Sequence, residues 1–170
     1  MNRTPQNVYR RFLEFEEKAA AIYMKLAARF SSDNPELSSI WFDLGMQEKQ
    51  HAGLLQFCLV EKLFAAHLPN GGRVERSSAL FRSLEKRASN PSLTINDAFA
   101  IAAELETSEV NDIYTHLTST LHTSMYLWRR RIALSLPSHL CAIVAAAKKF
   151  NVDSKIVRKL ERLAPKRPAA

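Results

Sequence analysis

The sequence predicts an all-α protein: a four-helix bundle with a long crossover between helices two and three and a short C-terminal helical extension. Three observations predict it. The 170 residues contain only 4 Gly and are rich in Ala, Leu, Glu, Lys and Arg, the residues that lose least on entering a helix. Apolar residues recur three and four apart over long stretches, the period of one helix face. A segment of about twenty-five residues opening with Pro69-Asn-Gly-Gly72 separates the second long helical stretch from the third. A connection of that length suits a bundle with a crossover and not an up-down bundle with short loops.

The elements follow in order. Helix one is expected over Val8–Phe30, with Tyr9, Phe12, Phe15, Ala19, Ile22, Tyr23, Leu26 and Phe30 on its apolar face and Ser31-Ser-Asp-Asn-Pro35 ending it. Asn34 can cap the next helix with Pro35 in its first turn. That helix runs to His67 through Leu37, Trp41, Leu44, Leu55, Cys58 and Phe64, and the crossover carries a short helix near Ser78–Ala88. Thr94-x-x-Asp97 has the spacing of a capping box. It opens helix three, which carries Ala98, Ile101, Leu105, Glu106, Glu109, Ile113 and Leu117. Helix four covers Met125–Phe150 and is kinked at Pro137, or begins near Ser135. A short helix from Asp153 to Leu163 and a disordered end complete the chain. The bundle is therefore assigned to residues 1–150 and the basic helix and tail to 151–170.

Composition removes several function classes. No apolar stretch approaches the ~20 residues of a membrane span, and no signal peptide is visible, so a cytoplasmic protein is expected. Cys58 and Cys141 stand alone on apolar stretches and read as reduced, buried residues; no Cys-x-x-Cys pair marks a thiol-metal module. The net charge of +7 is concentrated at the C-terminus, where eight basic residues between Lys148 and Arg167 face only Asp153 and Glu161. A basic tail can bind nucleic acid. No recognition motif accompanies this one, so a solvated helix end is the expected reading and a nucleic-acid partner is not.

The chemistry lies in the charged residues at inward positions. Glu48 and His51 are three apart and share a helix face, and Glu16 can meet them from helix one. A lone Glu-x-x-His is ordinarily a solvated pair. An inward-facing Glu, however, needs a partner, because a buried unpaired carboxylate is costly. The second half of the chain carries a degenerate copy. Tyr23 follows Glu16 by seven residues and Tyr114 follows Glu106 by eight; His51 follows Glu16 by thirty-five and His139 follows Glu106 by thirty-three. In that register the counterpart of Glu48 is Leu136, in Leu136-Pro-Ser-His139. Glu106 and Glu109 read either as site residues or as a charged face shared with Glu104. Tyr23 and Tyr114 either bond the ligands or pack with a polar tip. Trp41, Trp128, Phe57 and Phe64 read as core, His116 and His122 as surface residues, and Arg129-Arg-Arg131 as a solvated face.

Glu16-x-x-Ala19-x-x-x-Tyr23, Glu48-x-x-His51-Ala52 and Glu106-x-x-Glu109 followed by Tyr114 resemble the di-iron domain of rubrerythrins and related ferritin-like proteins, over roughly residues 8–150. The resemblance implies a ferritin-like bundle and a metal site of Glu16, Glu48, His51, Glu106, Glu109 and His139. In that family the Glu of each Glu-x-x-His bridges two irons and each His binds one. Leu136 supplies no second bridge, and the rubredoxin-like cysteine module is absent. Two function classes follow. The first is a rubrerythrin-type oxidoreductase that reduces peroxide or oxygen, or oxidises Fe(II), with iron as cofactor and an external electron donor. The second is a non-catalytic bundle with a vestigial site or a single Fe or Zn, acting through its surfaces as a homodimer.

Overall fold

The computed structural model describes residues 4–64, 71–108 and 139–164, and among them all regular structure is helical. α1 spans Pro5–Phe30, starting ahead of the expected Val8 because Thr4 caps it, accepting the Asn7 N–H at 3.3 Å, with a Pro in the first turn. Its buried stripe runs from Val8 to Phe30 and includes Glu16 and Tyr23, seven residues apart on one face. α2 spans Pro35–Val60, capped as expected by Asn34, which accepts the Leu37 N–H at 3.1 Å.

α2 stops at Val60, not at the expected His67. The chain closes it with Lys62 in the left-handed region (φ 55°) and the Leu63 N–H returning 2.9 Å to the Cys58 carbonyl. This is a Schellman-type stop that usually takes Gly; here a Lys occupies the left-handed position, so no composition signal marks the end. α3 spans Gly71–Ala88, longer than the expected Ser78–Ala88, and starts within the Gly pair read as a breaker. It lies against α1, where Phe81 stacks on Phe15 (5.2 Å, 11°) and Arg11 donates to Ser78 Oγ at 2.9 Å. It also reaches α4 through Arg87 and Glu104 at 2.8 Å.

α4 spans Ile95–Glu106 and opens with the expected capping box: Thr94 Oγ1 accepts the Asp97 N–H at 3.1 Å, and Asp97 accepts the Thr94 N–H at 3.1 Å. The part of the expected helix from Glu109 through Ile113 to Leu117 lies outside the described residues, and α4 itself ends at Glu106. Thr107 caps it and turns its hydroxyl back to the Ala103 carbonyl at 2.7 Å, the local bond by which Thr competes with helix propagation. α5, helical over 139–149, ends where Asn151 adopts φ 52° and the Val152 N–H reaches the Ala147 carbonyl at 3.0 Å. α6 spans Ser154–Leu163, capped as expected by Asp153. It packs on α4 and buries Leu160, while Lys155, Arg158, Lys159 and Arg162 stay exposed, as a solvated face would. The expected start of helix four, its Pro137 kink, Trp128, Tyr114, His116, His122, the Arg129–Arg131 run and the last six residues lie outside the described residues.

α1 and α2 pack along most of their length, and the core between them holds Tyr9, Phe12, Phe15, Tyr23 and Trp41, all fully buried. Cys58 is buried as expected, and burial pushes its thiol up to about 11. Two expectations fail. Cys141 is exposed, and Phe57 is 40% exposed, as Phe42, Met46 and Val60 of α2 are also exposed. The spacing of Phe57 from Leu54 and Cys58 is compatible with either side of the apolar arc, so pattern alone could not place it. Phe64 is partly buried and meets Tyr9 edge-on at 5.0 Å. No described helix is long and apolar enough to cross a membrane.

Two glycines of α2 give a paired stability prediction. A Cβ on Gly45 would sit 3.0 Å from Met24 Cε and 3.3 Å from the Ala20 carbonyl oxygen, so Gly45 is what lets α1 and α2 approach beside Tyr23. A Cβ on Gly53 would meet nothing within 4 Å. Gly53→Ala should therefore stabilise by about 0.5–1 kcal/mol, the helix-propensity gain. Gly45→Ala should lose that gain to overpacking of about 1–3 kcal/mol. Thermal unfolding checks both: the melting temperature should rise for Gly53→Ala and fall for Gly45→Ala.

Candidate metal centre

Five of the residues singled out in the sequence come together inside the helices. Glu16 from α1, Glu48 and His51 from α2, Glu106 from the last turn of α4 and His139 from the first described turn of α5 are all buried, at 1–5% exposure. The helical stripes dictate this. Glu16 lies one residue from Phe15 and three from Ala19, and Glu48 three from Gly45 and four from Leu44, so each carboxylate shares the face that the apolar residues drive inward.

The donor atoms fall into two groups that share Glu48. Glu16, Glu48 and His51 form one; Glu48, Glu106 and His139 form the other. Within each, the ligand atoms lie within 4.8 Å of one another. His51 Nδ1 is 2.9 Å from Glu48 Oε2 and 3.8 Å from Glu16 Oε2. His139 Nε2 is 3.0 Å from Glu106 Oε1 and 3.4 Å from Glu48 Oε1. The two imidazoles thus reach the opposite oxygens of one carboxylate, and their ring centres stand 6.5 Å apart. Glu109 lies outside the described residues, as does Leu136.

Tyr23 both bonds one of these carboxylates and packs its ring in the core. Its hydroxyl donates to Glu106 Oε1 at 2.7 Å, and its ring stacks on Trp41 (5.9 Å, 14°) and meets His139 edge-on at 5.9 Å. Sequence reasoning missed Gln47, whose Oε1 lies 3.0 Å from His139 Nδ1. These two residues are 92 positions apart, and no spacing rule could have paired them.

The electrostatics follow from burying this many ionisable groups together. Burial pushes Glu16 up to about 8, against the lowering hydrogen bond with His51 and with the Glu48 charge adding to it. Burial also acts on Glu48, but hydrogen bonding and charge from His51 and the charge of His139 outweigh it and hold its carboxyl below the usual range. Burial would lower His51, yet Glu16 and Glu48 overcome that and raise it to about 10. His139 is likewise raised, by Glu106 and Glu48, against burial and the His51 charge. Tyr23 is raised well above the ordinary phenol value, by burial and then by Glu106 and Glu48.

One atom stands outside this network. Glu16 Oε1 is buried and accepts no hydrogen bond, although buried polar atoms are almost always partnered. An unpartnered carboxylate oxygen beside an imidazole and a second carboxylate is an atom available to a ligand. The donor set, carboxylate oxygens with imidazole nitrogens and no thiolate, suits Fe, Mn, Co or Zn. The residues present therefore fit a transition-metal ion.

No family model, no curated protein and no solved structure matches this chain.

Proposed function

We propose that the protein is a metal-binding ferritin-like helical bundle, similar to the di-iron domain of rubrerythrins. In this reading it holds two ions, one against Glu16, Glu48 and His51 and the other against Glu48, Glu106 and His139, and uses iron to reduce peroxide or oxygen. The observation that carries the reading is the pair of buried donor groups sharing the two oxygens of Glu48. Support for the bundle comes from the long connection between α2 and α4, which holds α3, and from the four helices that contribute the donors.

Bound iron would supply the electrons that reduce peroxide to water, and an external donor would return them. The chain's own residues supply the rest. Glu16, Glu48 and His51 bind on one side, and Glu106 and His139 on the other. Tyr23 orients Glu106 through the 2.7 Å bond from its hydroxyl. The five donor side chains are themselves buried, which keeps bulk water away.

One observation favours a single-ion, non-catalytic reading. Glu106 Oε1 already accepts bonds from Tyr23 and His139, so its group is satisfied without a metal, whereas the Glu16 group is not. The Glu16 side should therefore fill first. Anaerobic Fe(II) loading followed by metal analysis separates the readings. The two-ion enzyme requires about two irons per chain and peroxide consumption above that of free iron. Uptake of one ion with no excess turnover leaves the single-ion reading.

A further inference from the structure

The two histidines of the cage offer different nitrogens. His51 turns Nδ1 to the carboxylates, 2.9 Å from Glu48 Oε2, as its position three residues along the same helix allows. His139 turns Nε2 to them, 3.0 Å from Glu106 Oε1, and its Nδ1 points away to Gln47 Oε1 at 3.0 Å. Nε2 faces carboxylate oxygens, which only accept, so in the metal-free protein it carries a proton. Gln47 Oε1 also only accepts, so Nδ1 donates to it. When an ion takes Nε2, the proton on Nδ1 stays behind on this bond.

We propose that Gln47 is a positioning residue that fixes the ring of His139 and selects Nε2 as its metal-binding nitrogen. The inference rests on the two-ion reading above. Gln47 stands directly before Glu48 on α2, so the residue that shares its carboxylate between the two groups and the residue that aims His139 are consecutive. A second partner of this kind is how metal-binding histidines are ordinarily held, with the non-ligating N–H donated to a neighbouring acceptor. Here the acceptor is a partly buried amide from a neighbouring helix.

The test uses Co(II) titration of the full chain, with Gln47→Met as the near-isosteric loss of the acceptor and Gln47→Glu as the rescue. Wild type should take two Co(II) ions. Gln47→Met should weaken the second by about 10–100-fold and leave the first unchanged. Gln47→Glu should restore the second or tighten it. With 15N-labelled histidine, NMR of the Co(II)-loaded wild type should show a proton retained on one histidine Nδ1 and protected from exchange, and Gln47→Met should lose that protection. A purely structural role would lower the melting temperature of all forms without moving this signal or being rescued by Glu. If wild type takes two ions and Gln47→Met binds both equally well, the role of Gln47 is overturned and the two-ion site stands. If wild type takes no second ion, the two-ion reading falls and the role of Gln47 falls with it.

Discussion

Glu48→Gln is expected to abolish uptake of both ions, because its two oxygens serve the two donor groups: Oε2 lies 2.9 Å from His51 and Oε1 3.4 Å from His139. The loss at each position should exceed the 10–100-fold that removal of a supporting residue typically costs. By contrast, Glu16→Gln should impair only the ion on the His51 side. Removing the charge of Glu48 also takes a carboxylate partner from both imidazoles, and breaking a buried charge pair can cost about 3–5 kcal/mol. Glu48→Asp keeps the charge and shortens the reach. It should fold with the helical content of wild type and still fail to hold two ions. Isothermal titration with Zn(II) or Mn(II) measures both variants. Retention of two tight ions in Glu48→Asp would mean that the carboxylate is not shared.

The second large effect is on pH dependence, and it has opposite signs with and without metal. An ion on the His51 side must displace the proton that Glu16 holds up to about 8 and the proton that His51 holds up to about 10. Two protons therefore leave for each ion bound there at neutral pH, and affinity should climb by roughly 100-fold per pH unit below about 8. Above that, only His51 still competes, and the slope should fall to roughly tenfold per unit. The metal-free protein behaves in the reverse way. Glu16 binds its proton more tightly folded than unfolded, so stability declines as pH rises from the ordinary 4.5 through about 8. His51 contributes stability that is complete below 6.5 and lost as pH rises through about 10. Glu48 acts oppositely, with a contribution present above 4.5 and lost as pH falls below it. Urea unfolding of metal-free protein at pH 6, 7.5 and 9 should show falling stability, while the increment from a fixed free-metal concentration should grow. A metal increment independent of pH would mean that Glu16 and His51 hold no displaceable protons.

How much the sequence disclosed depended on whether the cause was local. Caps were legible because their chemistry sits within three residues: Asn34, Thr94 with Asp97, and Asp153 all act as their spacing predicts. The half-site of Glu16, Glu48 and His51 was legible because helical periodicity places all three on inward faces. His139 was harder, since Leu136-Pro137 breaks the motif that would have marked it, yet its offset from Glu106 was enough. The end of α2 was not legible, because a Lys took the left-handed position where Gly is usual. Nor was the end of α4, which no Gly or Pro marks and where the Thr107 hydroxyl turns back on its own helix. Gln47 was invisible for a different reason. Its meaning comes entirely from a residue on another helix, and an amide has no periodic signature of its own. Phe57 and Cys141 were misplaced because an apolar residue at the margin of a buried stripe can face either way, and packing decides.

The most direct test of the central claim is anomalous X-ray diffraction from crystals of the full chain grown with Mn(II) or Zn(II), recorded at the metal edge. Two peaks should appear within the helices, one on each side of Glu48. The first should be ligated by Glu16 and His51 Nδ1, and the second by Glu106 and His139 Nε2. A cage of these five side chains with no anomalous peak, at metal concentrations that fill exposed sites elsewhere on the molecule, would contradict it.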